Sequence, residues 1–181
     1  MLDDLTAKTR FLVGIAVLCS PFLLSTSVKA ADLGMTPTHV YGLWTSINTL
    51  LIRLAEIDTD ESGVHSRLSA VSLLTHEAKH PADVIEQVVV FREKANRLMK
   101  RVGLPPIAKE HRAVDAQITP SDVFLDSGHV LDGLVLLYVS KTDADDYISG
   151  FYRNQKFSRK SPNEVYALVQ QANERLDLLN H

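Results

Sequence analysis

Behind each of four similar start signals, apolar residues recur along this chain in steps of four and three. The first series is Val40, Trp44, Ile47, Leu51 and Leu54, and the second is Val84, Val88, Phe91, Ala95 and Leu98. The third is Val123, Ser127, Val130, Leu134 and Leu137, with one polar lapse; the fourth is Val165, Val169, Ala172, Leu176 and Leu179. Steps of this kind keep side chains on one face of a helix, so each series predicts an amphipathic helix with an apolar seam. The expected helices lie near 37–56, 81–101, 120–139 and 162–179, roughly 30 Å long at 1.5 Å per residue.

The start signals share one pattern: Thr36-Pro37-Thr38-His39-Val40, His80-Pro81-Ala82-Asp83-Val84, Thr119-Pro120-Ser121-Asp122-Val123 and Ser161-Pro162-Asn163-Glu164-Val165. The prolines are spaced by 44, 39 and 42 residues, in the range of a duplicated supersecondary unit. A Thr or Ser before the proline can accept a hydrogen bond from a free first-turn amide. Proline at the first helical position loses no useful donor and presets the backbone. An acid three residues after the cap closes a capping box and meets the positive end of the helix dipole. Two copies deviate, with His39 in place of the acid and His80 in place of the hydroxyl cap.

Four seams can close one core. The pattern therefore predicts an all-α protein, a four-helix bundle built from four tandem helix repeats with long connectors. The connectors are too long for simple hairpin turns, which leaves the up-down order of the helices open. Within them, Leu68, Val71, Leu73 and Leu74 suggest one short packed helix, and the stretch from Asp143 to Tyr152 suggests another.

The first thirty residues belong to a different physical class. Lys8 and Arg10 precede the apolar run Phe11–Leu24, and the segment ends Ser27-Val28-Lys29-Ala30. A basic start, an apolar run and a small-x-small ending read as a cleavable secretory signal peptide, residues 1–30, cut between Ala30 and Ala31. The competing reading is a retained anchor, but Pro21 interrupts a run already shorter than a span needs. The domain is then residues 31–181, in a periplasmic or secreted location, with no stable membrane span after signal cleavage. Cleavage removes Cys19, the single cysteine of the 181 residues, and with it any disulfide or thiolate chemistry. It also removes Lys8, Arg10 and Lys29 against Asp3 and Asp4. The totals of 19 basic and 22 acidic residues become 16 and 20, net −4. A mildly acidic chain is not built for nucleic acid.

One stretch spells a catalytic motif. His76-Glu77-Ala78-Lys79-His80 matches H-E-x-x-H, in which two histidines one helical turn apart hold zinc beside a glutamate base. Here Pro81 disfavours helical geometry at His80, and the start pattern assigns His80 to a helix cap. The expectation is a connector end meeting a cap, with no catalytic residue, no metal site and no cofactor. His39, His65, His111, His129 and His181 stand apart in the chain, and no E-x-x-H falls on the four helices. Phosphate-loop, dinucleotide, nucleophile-elbow and heme-attachment motifs are missing too.

Two basic clusters remain. Arg92, Lys94, Arg97, Lys100 and Arg101 fall in the second half of one helix, where a solvated face complementing the dipole is the simpler reading. Phe151, Tyr152, Arg153, Lys156, Phe157, Arg159 and Lys160 interleave aromatic rings with cations in a connector. These seven are the candidate ligand- or partner-binding residues, suited to an envelope protein or an anionic ligand. The functional expectation is an exported helical binding or accessory protein of the cell envelope. The alternatives are a metal-dependent or other enzyme with a site not visible in sequence, and a structural subunit of an envelope assembly.

Overall fold

The computed structural model describes residues 33–57, 63–109, 117–142, 148–153 and 155–180. The expected signal, His111 and His181 lie outside the described residues. Among these residues the protein is all-α: α1 Pro37–Ile57, α2 Val64–Ala70, α3 Pro81–Arg101, α4 Pro120–Lys141, α5 Ile148–Phe151 and α6 Pro162–Asn180. The four long helices α1, α3, α4 and α6 pack together as a helical bundle, each opening at its proline.

The caps explain why they open there. In every long helix the amide before the proline donates to the side chain three residues on. Thr119 donates to Asp122 Oδ2 at 2.7 Å, His80 to Asp83 Oδ2 at 2.7 Å and Ser161 to Glu164 Oε2 at 2.9 Å. In α1 the partner is His39, whose Nδ1 accepts from the Thr36 amide at 3.0 Å. The imidazole thus takes the acid's place in the box.

At His80 the reciprocal bond comes from Asp83, while the His80 carbonyl accepts from the Asp83 amide at 3.0 Å. The chain from Val71 to His80 is not helical, and Ala78 has φ 55°. His76 and His80 therefore do not face each other across a helical turn, the geometry the zinc motif requires. His80→Ser is expected to leave stability unchanged or raise it by about 0.5–1 kcal/mol, since serine is the better cap. Urea unfolding measures this, and a loss above that size would show that the imidazole has a role beyond capping.

Seam residues meet in the core. Every seam position of α1, α3 and α4 is buried, as are all those of α6 except the half-buried Leu179. Trp44 is fully buried and packs edge-on against Phe91. Its indole Nε1 donates at 2.8 Å to Ser127 Oγ, which donates in turn to the Val123 carbonyl. The polar lapse in the α4 seam is thus the partner that a buried tryptophan N–H needs.

All four long helices run in the same direction. Pro37, Pro81, Pro120 and Pro162, with the valines three residues after them, surround one apolar dimple of about 10 Å³ at the end of the bundle. Polar contacts between neighbours keep the same register further along. Between α1 and α6, Thr38 Oγ1 accepts from the Lys160 amide and Asn48 donates to the Leu168 carbonyl. Between α3 and α6, Asn173 donates to the Gln87 carbonyl, Lys94 pairs with Asp177 and Arg101 bonds Asn180. The order around the bundle is α1, α6, α3, α4.

Parallel helices need return crossings, which accounts for the long connectors: about 30 Å of helix must be retraced each time. The first connector descends along α6. The Arg175 Nε donates to the Leu68 carbonyl, Gln171 to the Val71 carbonyl, and His76 packs on Tyr166. Of its four apolar residues, Leu68 is fully buried in α2, whereas Leu73 and Leu74 are exposed in the extended part. The second leaves α3 through Gly103 at φ 74°, a left-handed residue that ends the helix, and lays Ile107 on Gly133 of α4. The third runs back across α4 and α1.

A buried polar layer lies at one level. Eleven residues after their prolines stand Asn48, Arg92 and Asn173, and each donates to the residue six after the proline of the next helix. For Arg92 that residue is Asp126, a buried ion pair. Arg92 therefore does not sit on the solvated face expected for it. Arg175, also buried, donates to Asn48 Oδ1 at 2.8 Å and clamps α1, α2 and α6 together. Burial lowers its pKa, and the Leu68 carbonyl near the end of α2 is a fitting partner for its charge.

α4 is long and apolar enough to cross a membrane by length and composition. In the bundle that apolarity serves the core, where Val123, Val130, Leu131, Leu134 and Leu137 are buried beside the Asp126–Arg92 pair.

Candidate ligand-binding cleft

Between the third connector and the groove formed by α1 and α4 lies an open cleft of about 750 Å³. Its floor comes from α1, with Thr38, His39, Gly42, Leu43 and Ser46, and its far wall from Phe124 of α4. The connector supplies the near wall through Phe151, Tyr152, Arg153, Lys156 and Phe157. Five of the seven expected binding residues thus face one space.

The connector is fastened to α1 and α4 by its own aromatic residues. Phe151 is buried against Tyr138, ring centroids 5.6 Å apart, and Phe157 stands edge-on to Tyr41 at 5.2 Å. Tyr152 donates its hydroxyl to Asp132 Oδ1 at 2.7 Å. Burial first, then the Asp132 hydrogen bond and charge, raise the Tyr152 pKa, so its phenol stays a donor at neutral pH. These three rings act as pegs. Arg153 and Lys156, between the pegs, are exposed and have no ion-pair partner among the described residues.

Arg159 and Lys160 are placed differently. They line a second depression beside Thr36, Pro37, Ser161 and Glu164, which shares Thr38 with the cleft. Lys160 donates to Glu164 Oε1 at 2.8 Å and lies over the Tyr41 ring, 4.6 Å from its centroid. That hydrogen bond raises the Lys160 pKa and, together with the Ser161 amide, lowers that of Glu164. The Glu164 contribution to the α6 cap is therefore present at neutral pH and lost as pH falls through its lowered pKa. Lys160 is a structural cation, whereas Arg159 is exposed.

The contribution of α1 and α4 was not visible in the chain. Gly42, Leu43, Ser46 and Phe124 carry no motif, and nothing in their spacing sets them opposite residues 151–157. One signal was present: a glycine inside an amphipathic helix, which lowers helix stability and calls for a packing or functional reason. Among the described residues, no group of three His, Cys, Asp or Glu side chains is placed to hold a metal ion. The cleft chemistry consists of cations, aromatic rings and hydroxyls, which suits binding and orientation of an anion. No family model, no characterised protein and no solved structure matches this chain, so the geometry of the cleft is what bears on its role.

Proposed function

We propose that this is an exported binding protein of the cell envelope, carrying a ligand in the cleft between α1, α4 and the 151–157 connector. In this reading residues 1–30 are a cleaved signal, and the bundle consists of four tandem copies of one helical unit. The observation that carries it is the convergence of Arg153 and Lys156, exposed and unpaired among the described residues, on a mostly apolar cleft of about 750 Å³. That volume lies within the usual range for small-molecule sites, which combine apolar walls with a few placed polar groups. The tandem unit is supported by the shared starts and by the register of the polar layer. Three of the four neighbour pairs repeat one donor position and one acceptor position. In the fourth pair, α4 to α1, both positions are leucine, Leu131 and Leu43, and the latter lines the cleft.

Retention from envelope extracts on the immobilised mature chain tests the reading. Material captured by the wild type should be lost from a double variant, Arg153→Glu with Lys156→Glu, whose exposed positions leave the core untouched. Equal capture by both would remove the cleft from the function. Mass spectrometry of exported protein should find a chain beginning at Ala31, and full-length chain in membranes would point to an anchor instead.

A further inference from the structure

Gly42 sits in the first half of α1 with no positive φ to justify it. A glycine inside a helix costs about 1 kcal/mol relative to alanine. Close packing does not require it either. A Cβ built there would meet the nearest atom, Phe157 Cε2, at 3.5 Å, an ordinary contact. With no side chain at Gly42, the Phe157 ring rests against the helix there, and the two residues line the cleft together. Leu43, Phe124 and Phe157 make the surfaces around it apolar, and Arg153 and Lys156 stand at the rim. Among the described residues, none that lines the cleft is acidic.

Resting on the binding role proposed above, we infer that the ligand is a free, single-chain anionic amphiphile. Its apolar chain would lie beside Gly42 among Leu43, Phe124 and Phe157, and its head group would pair with Arg153 and Lys156. The apolar surfaces of Leu43, Phe124 and Phe157 select against small hydrophilic anions, which would gain nothing from them. The cationic rim selects against neutral and cationic amphiphiles. A walled cleft of this size suits one extracted molecule rather than a bilayer surface, which would meet only the exposed rim.

Calorimetric titration of the mature chain with monomeric decanoate tests this directly. Decanoate should bind one per chain, and affinity should fall about fourfold for each methylene removed through octanoate to hexanoate, the value of one buried CH₂. Decyltrimethylammonium should bind more weakly than decanoate. Arg153→Gln with Lys156→Gln should weaken decanoate about three- to tenfold, as two exposed ion pairs would, and leave decanol unchanged. Gly42→Leu should abolish binding of both by filling the floor, with circular dichroism checking the fold. The rim variant keeps the test valid if Gly42→Leu unfolds.

Affinity that ignores chain length, or binding to phosphatidylglycerol vesicles without binding of decanoate, would overturn the assignment. If decanoate fails but tripolyphosphate or an acidic peptide binds through Arg153 and Lys156, the ligand class is wrong and the binding role stands. If no cleft variant changes any binding, envelope capture included, both fall.

Discussion

Replacing Asp126 with alanine is expected to lower the unfolding free energy by about 3–5 kcal/mol. Asp126 is 1% exposed and Arg92 is 4% exposed, so each is the other's replacement for water. Removing the carboxylate strands a guanidinium between α3 and α4, and desolvating an unpaired charge costs several kcal/mol. Against a typical domain stability of about 5–15 kcal/mol, that is a large fraction. Urea unfolding measures it. The double replacement Arg92→Met with Asp126→Leu should recover most of the loss, because two apolar side chains leave no buried charge behind. A single-variant cost below about 1 kcal/mol would mean that Arg92 finds solvent once released, and that the polar layer is not closed.

The second large effect is at Leu134. This residue is fully buried on the α4 seam, beside Gly133, where Ile107 of the second connector packs. Leu134→Ala should cost about 2–5 kcal/mol, combining lost burial with the cavity left behind. Leu136, two residues further along the same helix, is 42% exposed and serves as the control. Leu136→Ala should change stability by no more than about 0.5 kcal/mol. The contrast separates burial from helix propensity, since the chemical change is identical. Equal effects at the two positions would show that the α4 seam is not core.

The seven connector residues illustrate how a binding site can be partly legible. Alternating rings and cations over 151–160 singled out the segment, yet the rings and cations have different tasks. Phe151 and Phe157 anchor the connector on Tyr138 and Tyr41, and Lys160 secures the start of α6. Arg153 and Lys156 are left facing the cleft. Composition cannot make that division, because it depends on which side chains the groove between α1 and α4 has room to accept. Arg92 makes the same point in reverse. In sequence it belongs to a run of basic residues, but its fate was decided by Asp126, a residue on another helix.

What the sequence determined by itself was everything with a local cause. The helix starts follow from proline and a reciprocal cap within four residues, and the buried faces follow from the 3.6-residue period of the helix. Both are set by neighbours along the chain, so they could be read residue by residue. Even His39, which breaks the pattern, fills the acid's place because the backbone brings its Nδ1 to the same amide. Helix direction has no such signature, since a seam reads alike whether its partner runs parallel or antiparallel. Only the tertiary structure set all four helices parallel, paired Asn48, Arg92 and Asn173 with acceptors on neighbouring helices, and formed a cleft between α1, α4 and the third connector. Each of these depends on which faces meet across long stretches of chain, and that is a property of packing rather than of period.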